Sequence, residues 1–151
     1  MFGPDDAFLT TILNLLRRLP IYPMFGRGLM RLQPAYVEDV AEAIARIIER
    51  AEAQPGIFEF GGPRVYSYEE FLRAVAHQAG LAPRLIPIPL AVWHALARAS
   101  EIFPSPLLTR NQVELMQIDT VSSPEIPGFV GLGISPHSIE AMLQEMLSKY
   151  G

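Results

Sequence analysis

Proline sets the segmentation of this chain. Pro20, Pro34, Pro55, Pro63, Pro89, Pro104, Pro106 and Pro136 stand between or at the starts of stretches whose apolar residues recur with helical spacing. Proline lacks a backbone donor and clashes with the preceding turn, so each one ends a helix, sits in a helix's first turn or marks an extended or turning connection. The reading is a chain of short helices separated by brief extended pieces.

The first predicted helix covers residues 7–19. Phe8, Ile12, Leu15, Leu16 and Leu19 share one face, with Leu9 and Leu13 on a second. Asp5 or Asp6 can cap its start, Arg17 and Arg18 suit its negative end, and Pro20 stops it. Residues 20–29 read as a loop with an apolar tip of Ile21, Tyr22, Met24 and Phe25. Residues 30–37 read as extended, because Pro34 biases Gln33 away from helix. Asp39 then opens a second helix as its N-cap, with Glu42 as capping partner and Val40, Ile44, Ile47 and Ile48 as core stripe.

Gln54-Pro55-Gly56 closes that helix, residues 57–60 form a buried strand, and Gly61-Gly62-Pro63 turns the chain. Ser67 and Glu70 make a capping box ahead of Phe71, Leu72, Val75 and Ala76, and Gly80 supplies a left-handed stop. Residues 84–87 form a short strand. A helix over 89–102 points Trp93, Leu96 and Ala97 inward and is broken by Pro104 and Pro106. Thr109 and Gln112 cap a short helix through 116, and 122–133 is turn-rich. The last helix begins at Ser135 with Pro136 in its first turn, carrying Ile139, Met142, Leu143, Met146 and Leu147 inward.

The fold class is therefore α/β, mostly helical, with a few short strands. Such strands are too few for a doubly wound sheet and are expected to complete one begun elsewhere. The 151 residues fit a single domain, residues 1–151. Half of them are apolar, while a domain of this size hides only about two thirds of its unfolded surface. Some apolar faces are thus expected to be interfaces.

Charge narrows the function classes. The formal net charge is -4, and the arginines are scattered or stand as the pair Arg17-Arg18, which argues against nucleic acid. The absence of cysteine excludes disulfides, thiolate metal sites and cysteine nucleophiles. Met1 is not followed by a basic and then apolar leader. No apolar run approaches the ~20 residues of a membrane span, since 85–97 contains Pro87, Pro89 and His94. A cytoplasmic location, with the inner-membrane periphery as its variant, is expected.

Motifs for chemistry are sparse. His77, His94 and His137 fall in three different predicted helices without ligand spacing, and read as solvated or satisfied. Gly61-Gly62-Pro63 and Gly26-Arg27-Gly28 each lack the full G-x-G-x-x-G of a dinucleotide loop. No serine stands in a G-x-S-x-G elbow. The carboxylate pairs Asp5-Asp6, Glu38-Asp39 and Glu69-Glu70 all lie at helix starts, where the dipole explains them. Trp93 reads as core. No catalytic residue and no metal ligand are assigned.

Three ordered segments carry a resemblance. Phe2-Gly3-Pro4-Asp5-Asp6-Ala7-Phe8 resembles the F-G-P-x-D-x-F step after the sixth strand of extended short-chain dehydrogenase/reductase proteins. Gln33-Pro34-Ala35-Tyr36-Val37-Glu38-Asp39-Val40-Ala41 resembles their V-x-V-x-D-V-A segment. Residues 57–63 followed by Ser67-Tyr68-Glu69-Glu70 are similar to their Y-x-x-G-G-x-x-x-S-x-x-E element. With Gln112-Val113-Glu114-Leu115-Met116, the pattern looks like the atypical branch that includes the accessory NAD(P)-binding subunit of respiratory complex I and its bacterial relatives.

The resemblance implies a C-terminal, substrate-side portion of an NAD(P)-dependent oxidoreductase- or epimerase-like protein. The family's glycine-rich loop and Tyr-x-x-x-Lys pair lie upstream of F-G-P, so the N-terminal Rossmann half is the missing partner. NAD or NADP is implied for the parent and none for this chain alone, which is expected to be inactive by itself. Homo-oligomers or respiratory-complex subunits are the other implied partners. Gly3 and Pro4 would lie at the nicotinamide end of the cofactor site, and Gln33, Tyr36 and Asp39 on the wall facing substrate. Arg27 and Arg31 join that substrate-side wall, and residues 20–32 and 81–108 would form the substrate lobe. Its apolar tip, Ile21, Tyr22, Met24 and Phe25, suits an apolar ligand or a protein surface better than a sugar nucleotide, which would need a charged pocket lined by Arg27, Arg31 and Arg84. The alternative, from another class, is a stand-alone helical module that docks a partner through its leucine-rich first helix.

Overall fold

A computed structural model describes residues 1–4, 6–49, 56–102 and 108–150, with side chains described through 146. In chain order the elements are α1 (Ala7–Arg18), β1 (Ile21–Phe25), β2 (Arg31–Leu32), α2 (Val37–Glu49), β3 (Tyr66–Ser67), α3 (Tyr68–Gln78), β4 (Arg84–Ile88), α4 (Leu90–Ser100), α5 (Arg110–Leu115), a 3-10 turn (Val130–Leu132) and α6 (Ile139–Tyr150). β1 pairs with β4 in parallel, Tyr22 opposite Leu85, and β2 pairs with β3 antiparallel, Leu32 opposite Tyr66. Short parallel bridges join Phe2 to Tyr36 and Leu32 to Thr120.

Two cores result. The larger gathers Leu9, Ile12 and Leu16 of α1, Tyr22 and Met24 of β1, Phe71, Leu72 and Val75 of α3, and Ile139 and Leu143 of α6. The smaller joins Ala35, Val40 and Ala43 to Phe129, Leu132 and Ile134. Three capping expectations hold. Asp6 accepts from the Leu9 N–H at 2.9 Å, and the Ser67/Glu70 and Thr109/Gln112 boxes are both closed. Gly80 has φ +68, the left-handed stop that ends α3.

Several expectations are corrected. Residues 21–25 are a strand instead of a loop tip. Tyr22 and Met24 alternate into the core, because pairing with β4 satisfies the backbone and period-two alternation buries every second side chain. Pro23 and Pro87 are tolerated because each strand of this two-stranded sheet has an open edge. Residues 57–60 are not a strand. Ile57 is 76% exposed, and the segment is held by the Glu59 N–H donating to the Pro127 carbonyl at 3.1 Å.

The helix stripes are also turned. In α1 the fully buried positions are Leu9, Ile12 and Leu16, while Phe8, Leu15 and Leu19 are half exposed. In α2, Val40 and Ala43 are buried and Ile44 and Ile48 face outward. In α4 Ala97 and Trp93 face inward as expected, and Leu96 is exposed. α6 starts at Ile139 and not at Ser135, since the Ser138 hydroxyl accepts from the Ala141 N–H at 3.3 Å and so caps the helix there. The expectations on Asp5, Gln54-Pro55, Pro104, Pro106 and the Leu147 side chain lie outside the described residues.

Candidate functional site

The site is built on a parallel bridge between two extended segments, at Phe2 and Tyr36. The Phe2 N–H donates to the Ala35 carbonyl at 2.9 Å, and the Val37 N–H donates to the Phe2 carbonyl at 2.9 Å. Each segment passes straight to a helix: Phe2 through Gly3, Pro4 and the Asp6 cap into α1, and Tyr36 into α2. The contact is too close for a side chain at residue 3, where a Cβ would meet the Val37 Cγ1 at 2.6 Å. The Phe2 and Tyr36 rings lie 5.5 Å apart. In open α/β sheets ligands sit outside such carboxyl ends.

Beside this junction lies a small cleft of about 240 Å³ lined by Pro4, Tyr36, Glu38, His137, Met142 and Glu145 among others. Asp39 stands behind it and is the buried charged residue among the described ones. It does not cap its own helix. One carboxylate oxygen accepts the His137 backbone N–H at 2.7 Å, and the other accepts from His137 Nδ1 at 2.6 Å. With a carboxylate as acceptor, Nδ1 carries a proton and Nε2 is the ring nitrogen left for other partners. His137 precedes α6 instead of lying in a helix, and its ring meets Tyr36 edge-on at 5.9 Å. Of the predicted site residues, Gly3, Pro4, Tyr36 and Asp39 are thus brought together.

Gln33 lies elsewhere, in a larger cleft of about 490 Å³ between the N-terminal segment, β2 and the residues after α5. Phe2, Leu9, Leu32, Phe60 and Phe71 contribute apolar lining, with Leu115 and Ile118 beside them. The Gln33 Nε2 donates to the Gly62 carbonyl at 2.7 Å. Its Oε1 accepts from the Ser122 N–H at 3.1 Å and hydroxyl at 2.8 Å. Gly62 has no room for a side chain, since its Cβ would stand 2.0 Å from the Pro34 carbonyl oxygen. The glycine pair is therefore a packing requirement against residues 33–34.

The arginines do not converge. Arg31 is bound to Asp119 twice, by its backbone N–H to Oδ1 and by Nε to Oδ2, both at 2.8 Å. The Arg31 backbone N–H, and then its guanidinium, hold the Asp119 carboxyl below the usual aspartate range. Arg27 lines a third cleft together with Met116, Gln117 and Asp119, and neither Arg31 nor Arg84 lines that cleft. Trp93 is a packing residue, stacked on Phe25 at 4.3 Å and donating Nε1–H to the Met24 carbonyl at 3.1 Å.

Sequence reasoning passed over His137, Ser122 and Asp119. Their partners lie 98, 89 and 88 residues away, and no short-range spacing encodes such pairings. Among the described residues no three His, Cys, Asp or Glu side chains converge as a metal site, and no helix is long and apolar enough to cross a membrane.

No family model matches the chain. Over 155 residues it is 30% identical to the NADH dehydrogenase [ubiquinone] 1 alpha subcomplex subunit 9, mitochondrial, of Rattus norvegicus, covering 99% of this chain and 40% of the relative. The Arabidopsis thaliana protein of the same name is 26% identical over 160 residues, with 99% and 40% covered. The chain spans about two fifths of the length of these relatives. Among solved structures, a nucleoside-diphosphate-sugar epimerase from Staphylococcus aureus superposes with a TM-score of 0.63 at 15% identity, over 92% of this chain and 48% of the other. That likeness establishes the fold as the α/β arrangement of an epimerase-type protein.

Proposed function

We propose that the chain is a member of the extended short-chain dehydrogenase/reductase family, on the branch of the alpha subcomplex subunit 9 proteins it resembles, and that it is the C-terminal, substrate-side portion of an NAD(P)-linked oxidoreductase-like protein. The observation that carries this reading is the parallel bridge of Phe2 with residues 35–37, each of the two extended segments leading into a helix as the ends of parallel strands do in this fold. A crevice outside such ends is where this fold holds its ligand.

The residues present suit one end of a dinucleotide and not the whole of it. Gly3 and Pro4 supply a close backbone turn beside Tyr36, suited to the flat nicotinamide end. A phosphate-binding glycine loop opening a helix is not among the described residues, so the pyrophosphate has to be held by another segment. The nicotinamide, when bound, supplies hydride chemistry. This chain's own part is to shape the wall: Asp39 fixes the segment bearing His137, and Gln33 ties residues 61–62 and 122 to β2. Alone, the chain is not competent for hydride transfer. As part of a parent protein it serves as an accessory-type subunit of a respiratory complex, peripheral to the inner membrane, or as a homo-oligomer.

Titration with NADH and NADPH, followed by nicotinamide fluorescence, tests the reading. Residues 1–151 should show no saturation, and a chain extended by a strand and glycine-rich loop half should saturate in the micromolar range. Micromolar binding by residues 1–151 alone overturns it. The alternative of a stand-alone docking module would rest on Phe8, Leu15 and Leu19, since Leu9, Ile12 and Leu16 are committed to the core.

A further inference from the structure

The 490 Å³ cleft is within the range of small-molecule sites, which are largely apolar with a few placed polar groups. Its charge pattern narrows what it can take. The lining residues include no arginine, lysine or histidine; the charged groups are the Asp6 carboxylate and the α-ammonium of Met1. Arg31, on the strand beside it, is already committed to Asp119 by two hydrogen bonds. A phosphate in this cleft would be desolvated against apolar side chains and repelled by Asp6, and the one cation in the lining, the α-ammonium of Met1, sits on a residue 77% exposed where water and salt screen it.

Gln33 supplies the specific polar feature. Its Oε1 accepts twice from Ser122, and Nε2 spends one proton on the Gly62 carbonyl. A primary amide carries two donors, so one Nε2–H remains on a side chain that the surrounding bonds hold in place. Thr120, also in the lining, adds a hydroxyl.

We infer that this cleft binds an uncharged, largely apolar molecule bearing a hydrogen-bond acceptor, and not a nucleoside-diphosphate sugar. The inference rests on the reading of this face as the substrate-side wall, and names the class of molecule that wall admits. The apolar selection comes from Phe2, Leu32, Phe60 and Phe71, and the acceptor is met by the spare amide proton of Gln33.

The test uses residues 1–151 and the neutral fluorescent probe N-phenyl-1-naphthylamine, displaced in turn by dodecanol, dodecyl phosphate and UDP-glucose. Probe emission should rise to saturation with one site per chain. Dodecanol should displace it about tenfold more readily than dodecyl phosphate, a difference of about 1.4 kcal/mol, and UDP-glucose should not displace it. Asp6→Asn should narrow that gap, since asparagine caps a helix as well as aspartate and leaves the fold intact. Ile118→Glu, at a half-exposed position of the lining, should weaken the probe about tenfold with unchanged circular dichroism.

The inference is overturned by the absence of saturation, by displacement with UDP-glucose, or by an Ile118→Glu variant that binds normally. A dimer that excludes the probe overturns it too, by making the cleft an interface between copies. The probe is no part of a dinucleotide, so its failure leaves the NADH titration standing, and the converse also holds.

Discussion

Asp39 grips His137, 98 residues away in sequence, at two points, accepting the backbone N–H at 2.7 Å and Nδ1 at 2.6 Å. That grip fastens the start of α2 to the segment leading into α6. Because the carboxylate is only 3% exposed while the imidazole is half exposed, the two partners should respond unequally to removal. Asp39→Ala strands a backbone donor and an imidazole and should cost about 2–4 kcal/mol. His137→Ala keeps the backbone bond and should cost about 1 kcal/mol. Urea denaturation of both variants checks the ratio, and equal losses would mean that the side-chain bond dominates.

A second prediction concerns close approach. Gly62→Ala would drive a methyl into the Pro34 carbonyl oxygen at 2.0 Å, and backbone on both sides leaves nothing soft to yield. The expected loss is about 3 kcal/mol, at the top of the overpacking range. Gly131→Ala is the control, because its Cβ would meet nothing nearer than a Pro127 methylene at 4.0 Å. That change should stay within about 0.5 kcal/mol. Thermal melts of the pair distinguish tight packing from a general intolerance of added methyl groups.

What the sequence made legible was local. The boxes at Ser67/Glu70 and Thr109/Gln112 and the stop at Gly80 were readable because their partners lie within one turn. The strand at residues 21–25 was hidden by Pro23 and by its partner at 84–88, about sixty residues away; long-range pairing overrode a local turn signal. Asp39 sat at a helix start and so read as a cap, although its two bonds run to a residue in another part of the chain. The α1 stripe was right in kind and wrong in rotation, since Leu9 and Ile12 meet α3 and α6 while Phe8 and Leu15 remain half exposed. The junction of Gly3, Pro4, Tyr36 and Asp39 rests on the Phe2–Tyr36 bridge, and the neutralisation of Arg31 by Asp119 depends on a contact no motif contains.

The acid limb of stability has a defined sign. Glu70 is held below the ordinary carboxylate range by the Ser67 backbone N–H, Glu101 by that of Arg110, and Asp119 by that of Arg31. A carboxyl whose folded pKa is depressed contributes stability above its unfolded value, and that contribution is lost as pH falls through the folded value. Stability should therefore be flat from pH about 7 to about 5 and decline below about 4, where unfolded carboxyls take up protons first. Denaturation midpoints across that window test it. Asp119→Asn should make the decline shallower, and an unchanged slope would exclude the Arg31 contact as a contributor.

The buried hydroxyls of Tyr22 and Tyr68, 3.1 Å apart, contribute to the alkaline limb together with Tyr66, whose phenol is also pushed up by burial and Glu140, and allow a double-mutant test. Burial pushes both phenols above their ordinary range, and for Tyr68 the neighbouring Tyr22 adds to the rise. An acid whose folded pKa is raised supports folding fully below its unfolded value of about 10, and that support is lost as pH climbs beyond it. Tyr22→Phe or Tyr68→Phe alone leaves one hydroxyl buried without its partner and should cost about 1–2 kcal/mol at neutral pH. The double variant removes donor and acceptor together and should lie within about 1 kcal/mol of the parent, giving a favourable coupling energy. Its stability should also fall less steeply above pH 10 than that of the parent, because two groups that ionise only on unfolding are gone. Additive losses in the cycle, or an alkaline slope unchanged in the double variant, would mean that this pair does not contribute to the limb.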